Sequence, residues 1–315
     1  MGYQQNQAQS LSAKIAGRSE DAGEVDRRLG WRVLGGFVLV YLAVYATTLI
    51  LGVGPNMMMR SLGVSDDLRI LIGSTISRSG TLVATVAFSA WALHKTTGLD
   101  AQEVMFSRRA GWLSDLLFGL ALAAAAMGLI FAIERSAGWL TVTGWRWEAQ
   151  SSAAWLQTLW LALLANLLAA VGEEALYRGY LLVGLKRAWG KGIALAVMSI
   201  LFSLPHILVT GAGETHWLLF LAMLILPGLM LGWTYLRTGS LWLPVGIHFA
   251  WNFVQGDLLN LTGNATGTTL FGLITRQTGP AWFVGTSYGI EVGLAGLLGL
   301  LIVVVGTWMW TGRSR

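Results

Sequence analysis

The chain contains no cysteine and few charged side chains, and each shortage excludes a class of protein. Without cysteine there can be no disulfide, no thiolate metal site and no cysteine nucleophile. Charged residues make up 12% of the 315 residues, whereas a typical soluble domain is about one quarter charged. Hydrophobic residues reach 55% and the mean hydropathy is +0.61. Most of the chain is therefore expected to face lipid or other apolar helices.

The net charge of +5 does not indicate a nucleic-acid partner, because the basic residues are not gathered in one patch. They flank apolar segments, and a membrane-spanning helix needs about 20 apolar residues. We therefore predict an all-α, polytopic membrane protein with the lipid bilayer as a partner. About eight helices are expected, at 31–53, 70–93, 113–133, 155–185, 192–210, 217–236, 241–262 and 290–310.

Domain organisation and orientation follow from where polar and basic residues lie. Residues 1–28 are predicted to form a mobile cytoplasmic tail, residues 29–315 a single helical membrane domain, and the Gly- and Thr-rich segment 263–287 an external loop. If the N-terminus is inside, and Arg78 and Arg178 within the spans are left out, fourteen basic residues fall on or next to the cytoplasmic side (Lys14, Arg18, Arg27, Arg28, Arg32, Lys95, Arg108, Arg109, Lys186, Arg187, Lys191, Arg237, Arg313, Arg315) and five on the other (Arg60, Arg69, Arg135, Arg146, Arg276). This bias predicts a multi-pass protein of the cell membrane with both termini in the cytoplasm.

Three short polar motifs interrupt the apolar sequence: EEALYR at 173–178, FSLPH at 202–206 and HFAWN at 248–252. Inserting an ionisable side chain into hydrocarbon costs roughly 2.5–3.5 kcal/mol, so such residues mark functional sites. Together the motifs supply two carboxylates, one guanidinium, two imidazoles and one carboxamide. We predict that they form a polar catalytic cavity within the membrane.

Spacing within the motifs suggests how these groups are used. Glu174 and Arg178 are four residues apart, so they share a helical face and can form an ion pair. Glu173 lies about 100° further round the helix, where it can face a cavity and act as a general base. His248 and Asn252 project together and could donate two hydrogen bonds to a developing oxyanion. A purely structural interpretation stays open, in which these polar groups only link helices.

The EExxxR, FxxxH and HxxxN series, in this order and spacing, resembles the CPBP family of CAAX proteases and bacteriocin-processing enzymes, also called Abi proteins. This family includes the type II CAAX prenyl endopeptidases. The resemblance covers about 155–262, the predicted catalytic core, and implies an intramembrane glutamate endopeptidase with a cavity open to the cytosol. Glu174 and Arg178 would support the site.

The resemblance also implies catalytic roles and a partner. Glu173 and His206 would activate a water molecule, and His248 and Asn252 would stabilise the tetrahedral oxyanion. The site would need no cofactor and no metal. The substrate would be a peptide or protein, with its membrane association and its prenylation both left open.

Other functions remain compatible with the same residues. A zinc-dependent membrane protease could use Glu173, His206 and His248 as ligands, although the sequence lacks the HExxH motif. A non-catalytic immunity or scaffold protein could use the polar site for binding, and a transporter would also place polar groups at the bilayer midplane.

Arg78 is a further charge within a predicted helix. Asp257 and Glu291 are candidate partners at a similar predicted depth. The favoured interpretation is that Arg78 extends its charged end outward to the membrane surface.

Overall fold

The computed structural model describes residues 26–210, 217–261, 272–285 and 289–312. The predicted tail at 1–28 lies outside these ranges apart from its last residues. Asp26 caps the first helix, because its Oδ1 accepts a hydrogen bond of 2.9 Å from the Leu29 backbone N–H. Helix α1 begins at Arg27, slightly before the predicted start of the membrane domain.

The described residues form helices almost throughout, as the sequence predicted. The α-helices are α1 (Arg27–Ser61), α2 (Asp66–Thr97), α3 (Ala101–Val104), α4 (Trp112–Ser136), α5 (Ser152–Leu167), α6 (Val183–Thr210), α7 (Trp217–Thr238), α8 (Trp242–Asn252), α9 (Ala281–Val284) and α10 (Leu294–Gly312). Two further segments are π-helical, Leu168–Leu182 and Phe253–Leu258. Short 3₁₀ turns cover Arg146–Ala149 and Ile290–Val292.

Five helical segments are long and apolar enough to cross a membrane, by length and composition: Arg27–Ser61, Asp66–Thr97, Trp112–Ser136, Ser152–His206 and Leu294–Gly312. The chain is therefore a multi-pass membrane protein. The segment Ser152–His206 has 55 residues. As a continuous helix it would be about 80 Å long, far longer than the hydrocarbon thickness of about 30 Å. Its backbone leaves helical geometry at Gly190, with φ 79° and ψ 169°. The count of eight spans remains a prediction.

A two-stranded antiparallel sheet departs from the predicted all-α fold. Strand β1 (Leu140–Trp145) pairs with strand β2 (Leu273–Gln277), with a bulge between Val142 and Gly144. The prediction of a plain loop at 263–287 was wrong for β2 and for α9, while 262–271 and 286–288 lie outside the described residues. β1 is rich in β-branched and aromatic residues, which favour strands, but its partner lies more than a hundred residues away and could not be identified from local sequence.

Helices α4 and α8 approach closely through two glycines. A Cβ built on Gly119 would lie 2.7 Å from the Leu243 carbonyl oxygen and 2.9 Å from the Ile247 nitrogen, and a Cβ on Gly246 would collide with the Leu116 carbonyl oxygen. Small residues allow such backbone contact between membrane helices. This contact fixes the position of α8, which carries the third motif.

We expect Gly119→Ala to destabilise the protein by about 1–3 kcal/mol, the usual cost of overpacking, because its methyl group meets backbone atoms that cannot rotate away. Gly128→Ala is the matched control in the same helix, since no heavy atom lies within 4 Å of the position that its new methyl group would occupy. Thermal unfolding of the purified variants in detergent measures the difference. Equal melting temperatures for the two variants would contradict the proposed contact.

Candidate active site

The first motif lies within the π-helical segment Leu168–Leu182 rather than in the α-helix expected from the sequence. π-helical turns are rare and occur frequently at functional sites. Glu174 and Arg178 are fully buried on this segment, whereas the Glu173 side chain is 34% exposed. The two adjacent glutamates therefore lie in different environments, as the spacing predicted.

Glu174 joins the first and third motifs. Its Oε1 accepts a hydrogen bond of 2.8 Å from Arg178 Nη1 and lies 2.9 Å from His248 Nδ1. The predicted ion pair of Glu174 with Arg178 is present, and the contact with His248 was not predicted. All three side chains are buried, so a single carboxylate oxygen holds a cation and an imidazole in fixed positions away from bulk solvent.

Arg178 extends this network to two more helices. Its Cζ lies 4.2 Å from the centre of the Phe202 ring on α6, a cation–π contact. Its Nη2 donates a hydrogen bond of 3.4 Å to the Gly228 carbonyl on α7. The guanidinium thus fixes α6, α7 and the π-helical segment relative to one another.

Hydrogen bonding also constrains the protonation of both histidines. His206 Nδ1 lies 3.0 Å from the Phe202 carbonyl oxygen. A carbonyl can only accept, so Nδ1 carries the proton and Nε2 is an acceptor in the neutral ring. In the same way, the Glu174 carboxylate accepts a hydrogen bond from His248 Nδ1, so this nitrogen also carries a proton. The other ring nitrogen, His248 Nε2, lies 4.0 Å from Glu173 Oε2.

One cavity of about 200 Å³ brings together the four residues that the resemblance assigns to catalysis. Glu173, His206, His248 and Asn252 all line it. Glu173 Oε2 has no hydrogen-bond partner among the described residues, so this oxygen can bind a ligand in the cavity. The remaining lining residues are Phe202, Leu224, Pro227, Met230, Leu231, Ile247, Trp251, Glu291 and Leu300.

A second cavity, of about 360 Å³, shares Glu173 and His206 with the first. Side chains of α1, α2, α5, α6 and the π-helical segment form the rest of its wall: Tyr41, Val44, Tyr45, Thr48, Thr81, Thr85, Ala165, Leu168, Ala169, Gly172, Leu176, Tyr177 and Pro205. This wall contains hydroxyl and apolar groups, and Glu173 is its sole carboxylate in the part of the chain that the structure describes. Glu173 and His206 are therefore accessible from two cavities, one of which also has Glu291 and His248 in its wall.

Residues 155–254 match the family model described as type II CAAX prenyl endopeptidase Rce1-like. This segment belongs to the CAAX protease family. It contains all three motifs, so the family prediction made from them is confirmed. Comparisons with curated proteins and with solved structures find no match. The matched residues end before β2, so Glu291 and α10 lie outside them.

Two residues in the cavity were given no role at the site by the sequence motifs. Glu291 and Trp251 both line it, and Trp251 Nε1 donates a hydrogen bond of 3.1 Å to Glu291 Oε1. Glu291 stood out in the sequence as a charge beside an apolar run, but it was considered only as a partner of Arg78. Its position in the cavity depends on how the last helix folds back, which local sequence does not reveal.

The Arg78 side chain contacts other parts of the protein, whereas the sequence analysis favoured its extension to the membrane surface. Its Nη1 donates a hydrogen bond to the Leu161 carbonyl of α5, and the side chain interacts electrostatically with Asp257. Asp257 in turn accepts a hydrogen bond of 2.7 Å from Asn166. Arg78 therefore links neighbouring segments, and Asp257, rather than Glu291, is its acidic neighbour.

Proposed function

We propose that this chain is an intramembrane endopeptidase that hydrolyses peptide bonds with a glutamate-activated water. The observation that carries the proposal is the convergence of Glu173, His206, His248 and Asn252 on one cavity. They come from three separate segments of the chain. A purely structural role would not require an unpartnered carboxylate oxygen, two imidazoles and a carboxamide to face the same space.

In the proposed first step, Glu173 and His206 position and activate the attacking water. Glu173 Oε2 has no hydrogen-bond partner among the described residues, so it can accept a hydrogen bond from this water. Glu173 removes a proton as the water oxygen bonds to the carbonyl carbon. His206 Nε2 accepts a hydrogen bond from the same water, because its Nδ1 proton is engaged by Phe202.

In the second step, the negative charge that develops on the carbonyl oxygen is stabilised by Asn252 and His248. The Asn252 amide donates one hydrogen bond, and His248 Nε2 donates another when the ring is an imidazolium. Glu174 at 2.9 Å and Glu173 at 4.0 Å attract that cation. The C–N bond then breaks, and Glu173 returns its proton to the leaving amine, so the products are a carboxyl and an amino terminus.

We assign Glu174 and Arg178 as positioning residues. They do not line the cavity, and they act by holding His248 and the helix contacts around it. A catalytic imidazole needs a fixed orientation, and a buried carboxylate on the opposite ring nitrogen supplies it.

The proposed substrate is a membrane-associated peptide or protein. The second cavity offers space beside Glu173 and His206 for an apolar flank of the substrate, either a prenyl group or apolar side chains. The resemblance to CAAX prenyl endopeptidases favours such a substrate. We also propose that both termini are cytoplasmic, given the basic bias, and reporter fusions at the two ends test this orientation.

Comparative proteomics tests the proposed function directly. Peptides with new N- and C-termini are compared between cells carrying the wild type and cells carrying Glu173→Gln. Pairs of termini that derive from one cut and vanish in the variant identify both substrate and cleavage position. Identical sets of termini in the two strains would favour the scaffold or immunity alternative.

A metal-free reaction is expected, so dialysis against a strong chelator should leave the rate of peptide cleavage unchanged. A zinc site would place Glu173, His206 and His248 at about 2.0–2.2 Å from one ion. Within the described ranges, no group of three or more His, Cys, Asp or Glu side chains has a metal-binding arrangement. Mass spectrometry of the purified protein supplies the second measurement. Stoichiometric zinc with inhibition by the chelator, reversed by added zinc, would establish the zinc-protease alternative instead.

A further inference from the structure

A carboxylate outside the three motifs lies in the proposed catalytic cavity. Glu291 belongs to the 3₁₀ turn Ile290–Val292, which precedes α10. It lines the cavity together with Glu173, His206 and His248. Its charge interacts electrostatically with both histidines. Glu291 therefore lies close enough to the reacting groups to contact a substrate that reaches them.

The position of Glu291 is fixed by its surroundings. Trp251 Nε1 donates a hydrogen bond of 3.1 Å to Oε1, and Trp251 itself is only 7% exposed. The turn also rests directly on the last helix, because a Cβ on Gly296 would lie 2.9 Å from the Glu291 Cα. Glu291 is itself only partly buried, so a carboxylate held on one side remains accessible from the cavity on the other.

The cavity wall carries a net negative charge when both carboxylates are ionised, even with His248 as an imidazolium. Its ionisable side chains are Glu173, Glu291 and two histidines, and no lysine or arginine of the described residues lines it. Arg178 lies outside the wall, where its charge is matched by Glu174. Carboxylates in an apolar surrounding attract a cation more strongly than they would in water. The wall thus favours a positively charged ligand and disfavours a negatively charged one.

We infer that Glu291 is a specificity-determining residue that binds a lysine or arginine side chain of the substrate near the scissile bond. This inference rests on the proposed endopeptidase function. Trp251 and Gln255 both hydrogen-bond to the Glu291 carboxylate. Its two oxygens offer about four acceptor sites, so the remaining sites can take a charge-assisted hydrogen bond. The reaction itself is unchanged, since Glu173 remains the base. Peptides with an acidic residue at the same position would be cleaved more slowly than neutral ones.

The test uses a panel of fluorogenic peptides that differ at one position. Each residue flanking the cleaved bond is in turn lysine, norleucine or glutamate, and kcat/KM is measured with the full-length protein in lipid nanodiscs. A charged hydrogen bond changes affinity by on the order of tenfold. We therefore expect the wild type to prefer lysine over norleucine by about tenfold at one position, and Glu291→Gln to reduce that ratio to about one. Glu103→Gln is the control, because it removes an equal charge from an exposed residue in α3 and should keep the ratio of the wild type.

Each other outcome would overturn a specific part of the proposal. A wild-type ratio near one at every position, or a tenfold ratio that persists in Glu291→Gln, would overturn the inference while leaving the endopeptidase intact. An equal loss on all peptides would assign Glu291 to the chemistry or to folding rather than to specificity. No cleavage of any peptide, with wild type and Glu173→Gln indistinguishable, would reject the proposed function itself.

Discussion

Glu173→Gln is expected to lower kcat for peptide cleavage by at least a hundredfold while leaving the melting temperature nearly unchanged. General base catalysis contributes typically 10²–10⁴-fold, and an amide cannot accept the proton of water. The fold should tolerate the change, because glutamine has the same shape and Glu173 Oε2 accepts no hydrogen bond within the described ranges. Steady-state kinetics on a fluorogenic peptide, together with thermal unfolding, measures both effects.

Glu103→Gln again serves as the control for that experiment, since this exposed residue lies outside the cavity. Retention of more than about a tenth of the activity in Glu173→Gln could not be reconciled with general base catalysis. A large fall in melting temperature would instead assign Glu173 a structural role.

Arg178→Ala is expected to destabilise the protein by about 3–5 kcal/mol, the range for removing one partner of a buried ion pair. The change leaves Glu174 buried without its cation and removes the group packed on Phe202. Because Glu174 also holds His248, activity should fall together with stability. The melting temperature and the yield of folded, monodisperse protein measure the effect.

A double variant separates charge from packing at this pair. Glu174→Gln with Arg178→Met removes both charges and keeps most of the volume, so it should recover stability relative to Arg178→Ala, since no charge is left unmatched. It should not recover activity, because His248 loses its carboxylate partner. A melting temperature of Arg178→Ala equal to that of the wild type would show that the pair does not stabilise the fold.

The sequence predicted those features that depend on local pattern. Apolar runs located the helices, so the predicted segment 31–53 lies within α1 and 113–133 within α4. The spacing of Glu174 and Arg178 was enough to predict their ion pair, because residues four apart on a helix are neighbours. Polar groups in three apolar segments indicated a common cavity, since each would be costly in lipid.

Features that depend on non-local packing were missed. The contact of Glu174 with His248 joins residues 74 positions apart, and the β1–β2 pair joins strands still further apart. Glu291 lines the cavity together with Leu300 of α10, so its position depends on the last helix packing beside the residues of the three motifs. The π-helical geometry of Leu168–Leu182 has no compositional signal comparable to that of an α-helix, so the sequence predicted an ordinary helix there.

Hydrolysis inside a membrane requires two reactants that normally separate, an apolar substrate and water. Glu173 and His206 are shared between the two cavities. An apolar group of the substrate that fills the second cavity leaves these two side chains accessible to water from the first. The shared wall therefore permits separate routes for the apolar part of a substrate and for solvent, so binding of that apolar part does not by itself deprive the reaction of water.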